Sequence, residues 1–104
     1  DKRFKMGKIA SDLSDKVYLT DDNPRLEDPK FIRNQIKKGI KNKRFVEIPL
    51  RAKAIKMAVK ELKSGDILIV AGKGHENYQL IKNKKFFFSD EITAKEYLKK
   101  EKIF

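Results

Sequence analysis

The sequence predicts an α/β fold: a doubly wound, mostly parallel sheet finished by an antiparallel hairpin near the C-terminus. Three observations predict it. Short β-branched or apolar runs alternate with stretches whose apolar residues recur every three or four positions, the pattern of strands covered by helices. The run Ile67-Leu68-Ile69-Val70 leads directly into Ala71-Gly72-Lys73-Gly74-His75-Glu76, which reads as a buried strand opening into a glycine loop. Residues 78–81 and 84–88 are separated by Lys82-Asn83 alone, a hairpin spacing.

The elements follow in order. Phe4, Met6, Ile9, Ala10 and Leu13 describe one face of an opening helix, and a helix with no strand to feed it suggests that the domain begins upstream of residue 1. Val17-Tyr18-Leu19-Thr20 is a short strand. It ends in Asp21-Asp22-Asn23-Pro24-Arg25, where proline stiffens the turn and biases Asn23 to an extended conformation. Pro29 suits the first turn of an amphipathic helix carrying Phe31, Ile32, Gln35 and Ile36, with Gly39 as its C-terminal cap. Phe45-Val46-Glu47-Ile48-Pro49 is a brief extended piece that its proline confines to an edge or a strand end. Ala54, Ile55, Ala58, Val59 and Leu62 then line a helix beginning near Leu50, closed by Ser64-Gly65-Asp66 before the central strand at 67–70. After the hairpin, Ser89 caps a last helix with Asp90 and Glu91 in its first turn and Ile92, Tyr97 and Leu98 among its apolar positions.

Composition bounds what such a fold can do. A chain of 104 residues suits one domain, 1–104, and its hydrophobic fraction of 39% is enough for one core. The formal charge of +11 favours partners rich in phosphate or carboxylate, although lysine-rich surfaces also arise from overall composition. Within it, Arg33, Lys37, Lys38, Lys41, Lys43 and Arg44 form a basic run without an interleaved aromatic platform, so a solvated face is the plainer reading and a basic module for nucleic acid or an acidic partner the alternative. There is no cysteine, hence neither a disulfide framework nor a thiolate metal site. No apolar run of membrane-spanning length and no signal-peptide pattern occurs, and a soluble cytoplasmic protein is expected.

Chemistry is expected at the carboxyl ends of the strands. The glycine loop gathers an ammonium (Lys73), an imidazole (His75) and a carboxylate (Glu76), yet no GxxxxGK[ST] cradle exists and no nucleophile stands beside the single histidine. A metal held by His75, Glu76 and Asp22 lacks ligand spacing, so no metal is expected. A small zwitterion fits better: Arg25 matches a carboxylate with a planar fork, while Glu76 and a carbonyl near Gly72 suit an ammonium. Taken alone, Asp22-Asn23-Pro24-Arg25 reads as a turn with solvated charges, because so short a motif recurs by chance.

Taken together, Thr20-Asp21-Asp22-Asn23-Pro24-Arg25 with Glu27-Asp28-Pro29, Arg51, Ala54-Ile55, Gly65-Asp66, residues 71–76 with Tyr78-Gln79, and Phe88-Ser89-Asp90 resemble the C-terminal domain of the Mur ligase family, in its meso-diaminopimelate-adding branch. The resemblance runs over nearly the whole chain in the right order. It implies a Rossmann-like domain that binds the incoming amino acid for ATP-dependent amide formation on UDP-MurNAc-L-Ala-D-Glu, in the peptidoglycan synthesis of a bacterial cell wall. By position, Asn23 and Arg25 would hold the distal carboxylate of meso-diaminopimelate with Asp22 nearby, and the Gly72 carbonyl with Glu76 would hold its distal ammonium, Lys73 and His75 supporting. Lysine-adding relatives lack this arginine, because lysine has no distal carboxylate.

The sequence also departs from the family pattern. A Gly-Gly-Asp-Arg stretch would fall at or before residue 1, and Leu50 stands where an aspartate commonly precedes the arginine matched by Arg51. The N-terminal UDP-sugar domain and the central ATPase domain, which would bind most of the ATP and magnesium, have no counterpart among these residues. The resemblance therefore implies a fragment that positions an amine, carries no catalytic group of its own, holds no cofactor and engages neither nucleic acid nor membrane. A domain without its first strand is also expected to self-associate.

Overall fold

A computed structural model describes residues 2–41, 44–72, 76–82 and 84–101. Helix α1 (Lys2–Leu13) leads to strand β1 (Val17–Leu19), helix α2 (Pro29–Lys37), strand β2 (Phe45–Glu47) and helix α3 (Arg51–Glu61); strands β3 (Tyr78–Ile81) and β4 (Lys84–Phe87) and helix α4 (Asp90–Glu101) complete the order. β1 and β2 pair in parallel, with Val17 opposite Phe45 and Leu19 opposite Glu47, and β3 and β4 pair antiparallel with Tyr78 opposite Phe87. This parallel pair with its helices, and the hairpin beyond it, agree with the expected class. No helix among the described residues is long and apolar enough to cross a membrane.

Local chemistry explains the boundaries. The Asp28 side chain accepts from the Lys30 backbone N–H at 3.0 Å and Pro29 follows in the first turn, so α2 starts where an orphan donor is satisfied and a missing one costs nothing. Ser89 Oγ caps α4 by accepting from Ile92 N–H at 3.2 Å, with Asp90 and Glu91 on the favourable end of its dipole. α3 carries Ala54, Ile55, Ala58 and Val59 on one face, as the spacing predicts, and they are buried together with Leu19 and Ile48.

Two expectations need correction. The run at 67–70 is not in a ladder: Ile67 and Ile69 are 86% and 82% exposed, while Leu68 and Val70 are half-buried. Apolar content alone does not make a strand, since backbone donors and acceptors need a neighbour, and the free edge of β1 is held off from this segment by a cleft of about 80 Å³ lined by Tyr18, Thr20, Ala54, Leu68 and Ala71. Gly39 is not a left-handed cap; the left-handed glycines among the described residues are Gly65 and Gly72. Its role is close approach, because a methyl group there would run into the Phe4 carbonyl oxygen, as one at Gly7 would run into that of Ile36. The apolar positions of α1 lie on a helix, as their spacing predicts, and outside the core. Met6, Ile9 and Leu13 are exposed, and α1 meets α2 through the glycines instead.

Candidate functional site

The loop after β1 is anchored residue by residue. Asp21 N–H donates to the Pro49 carbonyl at 3.2 Å, and Thr20 Oγ1 donates to the same oxygen at 3.1 Å, tying the loop to the exit of β2. The Asp22 carbonyl accepts from Gln79 Nε2 at 2.7 Å, and Asn23 Oδ1 accepts from Leu80 N–H at 2.8 Å. Arg25 N–H donates to the Leu80 carbonyl at 3.0 Å, and Lys82 N–H returns a bond to the Arg25 carbonyl. This bridge between Arg25 and Ile81 holds Arg25 at φ 56°, a left-handed conformation that a non-glycine residue keeps only when its surroundings impose it. Pro24, just before it, is buried.

The side chains then divide by role. The Arg25 guanidinium is exposed and takes no partner among the described residues. Asn23 turns its side-chain oxygen toward β3, where it accepts from Leu80 N–H. Gly72 has φ 106°, and a Cβ built on it would lie 3.5 Å from Asp22 Oδ2, so the glycine loop and the loop after β1 come within van der Waals reach of each other. Glu76 is half-buried two residues before β3, whose backbone pins Asn23 and Arg25. Lys73, Gly74 and His75 lie outside the described residues. The structure therefore places Gly72 beside Asp22, and ties Asn23 and Arg25 to the strand that follows Glu76.

Two buried arginines complete the frame, and neither was assigned this task from the sequence. Arg33 donates to Asp21 Oδ1 at 2.6 Å and to Glu47 Oε2 at 2.8 Å, while Lys37 donates to the other Glu47 oxygen at 2.9 Å. Lys37 and Arg33 hold the Glu47 carboxyl below the ordinary glutamate range, and burial opposes this only in part. Burial alone would lower the Arg33 pKa, yet its bonds to Glu47 and Asp21 raise it. Within the basic run, Arg33 thus faces inward, and half-exposed Lys37 is paired with the same carboxylate.

Arg51 is 4% exposed and forms a fork with Asp90, Nε to Oδ1 and Nη2 to Oδ2, both at 2.7 Å. Its Nη1 also donates to the Asp21 carbonyl at 3.2 Å and its Nη2 to the Ala71 carbonyl at 3.0 Å. A signal for it existed: as the first residue of α3, without a side-chain cap at Leu50, Arg51 is a cation at the positive end of a helix dipole. Such a placement asks for a carboxylate from elsewhere in the fold.

Comparison with known proteins fits this arrangement. Residues 1–74 match the family described as "Mur ligase, glutamate ligase domain". The UDP-N-acetylmuramoyl-L-alanyl-D-glutamate--2,6-diaminopimelate ligase of Rickettsia typhi is 52% identical over 97 residues, covering 93% of this chain and 20% of the relative. The enzyme of the same name from Chlorobium phaeobacteroides is 51% identical over 100 residues, covering 96% and 20%. A solved structure of a ligase of that name superposes with a TM-score of 0.91 at 40% identity, over 97% of this chain and 21% of the other. The chain thus spans about a fifth of the length of the curated relatives it matches. With the family matched over most of its residues and the fold shared throughout, the chain belongs to the Mur ligase family, as its glutamate ligase domain.

Proposed function

We propose that this chain is the amino-acid-binding domain of an ATP-dependent ligase that adds meso-diaminopimelate to UDP-MurNAc-L-Ala-D-Glu in the bacterial cytoplasm. The observation that carries the reading is the left-handed, hydrogen-bonded Arg25, which presents an exposed guanidinium beside a loop pair closed at Asp22 and Gly72. A distal carboxylate would take the Arg25 fork and the Asn23 amide. The distal ammonium would take the Gly72 carbonyl and the Glu76 carboxylate, with Asp22 adding negative potential and Lys73 and His75 at the rim. The names of the relatives support the choice of amino acid.

In the whole ligase, ATP would turn the D-glutamate side-chain carboxylate into an acyl phosphate, which the proximal amine of diaminopimelate attacks as phosphate leaves. Residues 20–25 and 71–76 would hold that amine in line by gripping the far end of the molecule, and such orientation can supply several kcal/mol of a barrier, roughly 7–11 at the limit. ATP and magnesium would be bound mainly by other domains: Gly72-Lys73-Gly74 is too short to cradle phosphates. A nucleic-acid role has less support, since Arg33 and Lys37 are engaged by Asp21 and Glu47.

Arg25→Ala in the full-length ligase tests this. Loss of a charge-assisted contact, about 1.5–3 kcal/mol, should lower kcat/KM for diaminopimelate by roughly ten- to a hundredfold or more, with KM for ATP unchanged. Lysine gains nothing from Arg25, so the preference for diaminopimelate over lysine should narrow. Equal losses for both substrates would make Arg25 a structural residue of its loop and sink the reading.

A further inference from the structure

The diaminopimelate clamp depends on two loops that touch without a direct hydrogen bond between their backbones among the described residues. What both loops share is Arg51. Its Nη1 holds the carbonyl of Asp21 and its Nη2 the carbonyl of Ala71, the residues immediately before Asp22 and Gly72. Because a peptide unit is planar, fixing each carbonyl fixes the plane that leads into the next residue. One guanidinium therefore orients the Asp21–Asp22 and Ala71–Gly72 peptides together, and its Nη2 lies 4.0 Å from the position a Gly72 Cβ would take. The fork to Asp90 holds the guanidinium itself, with side-chain exposures of 4% and 6% for the pair.

We infer that Arg51 is the positioning residue that sets the spacing of the two loops and so the selection of an amino acid charged at both ends of its distal centre. This rests on the reading of residues 20–25 and 71–76 as a zwitterion clamp. Arg51 itself reaches no substrate atom; it acts through the carbonyls of Asp21 and Ala71. Lysine cannot replace it, because a single ammonium can pair with Asp90 but cannot extend a rigid fork to two carbonyls as well. Asp90 belongs to the same device, as it supplies both oxygens of the fork. The arginine occupies a helix start where local preference opposes a cation, which marks a residue placed by tertiary need rather than by helix formation.

The test uses the full-length ligase with Arg51→Lys, Asp90→Asn and, as a reference, Arg25→Ala, assayed well below the melting temperature of each variant. Arg51→Lys should raise KM for diaminopimelate about tenfold or more, leave KM for ATP and for the nucleotide substrate within about twofold, and narrow the preference over lysine, since small misplacements of a bound reactant carry large penalties. Asp90→Asn should move the same quantities in the same direction by less, and it serves in place of Arg51→Lys if that variant fails to fold. A lowered melting temperature with an unchanged KM for diaminopimelate in both variants, while Arg25→Ala raises it, would show Arg51 to be structural only and overturn the inference. If Arg25→Ala also leaves diaminopimelate use intact, the clamp is wrong and the inference falls with it.

Discussion

Val17-Tyr18-Leu19 and Ile67-Leu68-Ile69-Val70 differ in the opposite sense to what their composition predicts. The second is the more apolar, yet the first forms the paired strand. β1 exchanges backbone hydrogen bonds with β2 and buries Leu19 at 6% exposure, whereas 67–70 leaves Ile67 and Ile69 in solvent and Leu68 and Val70 half-buried along a cleft shared with Val59 of α3 and Leu98 of α4. The contrast teaches that hydrophobic content decides which segments seek cover, and neighbours decide which segments become strands. One face of 67–70 looks across a cleft to the helices. Its edge, and that of β1 across the cleft, have none among the described residues.

The largest effect should come from the paired region. Leu19→Ala removes a buried side chain beside Ile48 and α3 and should cost about 2–5 kcal/mol, read as a fall in the denaturant midpoint of the isolated domain. A cost under about 1 kcal/mol would mean that this region is as loosely held as 67–70.

An intermediate effect is expected from acid. The Glu47 carboxyl, opposite Leu19 in the register, is held below the ordinary glutamate value by Lys37 and Arg33. A depressed folded-state pKa contributes stability that is complete above the unfolded value, about 4.3, and is lost as pH falls through the folded one. Melting curves of the native chain should therefore decline more steeply below about pH 4.3 than those of Glu47→Gln, the excess being modest because the Glu47 side chain remains 24% exposed. Parallel curves would show that the cluster adds nothing to β2.

The smallest change in stability should accompany changes to the exposed side of 67–70. Ile67→Lys and Ile69→Lys should each shift folding free energy by no more than about 0.5 kcal/mol, but they should reduce association of the isolated chain in sedimentation, because they add charge to an exposed apolar edge. A strictly monomeric native chain at high concentration would remove the reason for that expectation.

Much of the candidate site was legible because its residues sit in contiguous motifs. Proline at 24 and glycine at 72 announce their backbone requirements, and Arg25 and Glu76 advertise opposite charges on neighbouring loops. Arg33 and Arg51 were not readable in the same way. Arg33 sits in a run of surface cations that it resembles in every respect except its two partners, Asp21 and Glu47, twelve and fourteen residues away. Arg51 acts through Asp90, thirty-nine residues distant, and through two backbone carbonyls that leave no trace in side-chain chemistry.

Periodicity, turn chemistry and short motifs were enough to give the helices, the hairpin, the two loops and the family, since each rests on residues within a short span. Which apolar run is a strand, that Gly7 and Gly39 serve helix contact, and that one buried guanidinium holds both loops emerge in the folded chain alone. Those outcomes depend on hydrogen bonds and contacts between distant residues, whose geometry exists only once the chain has folded and water has been excluded from the buried Arg51–Asp90 pair.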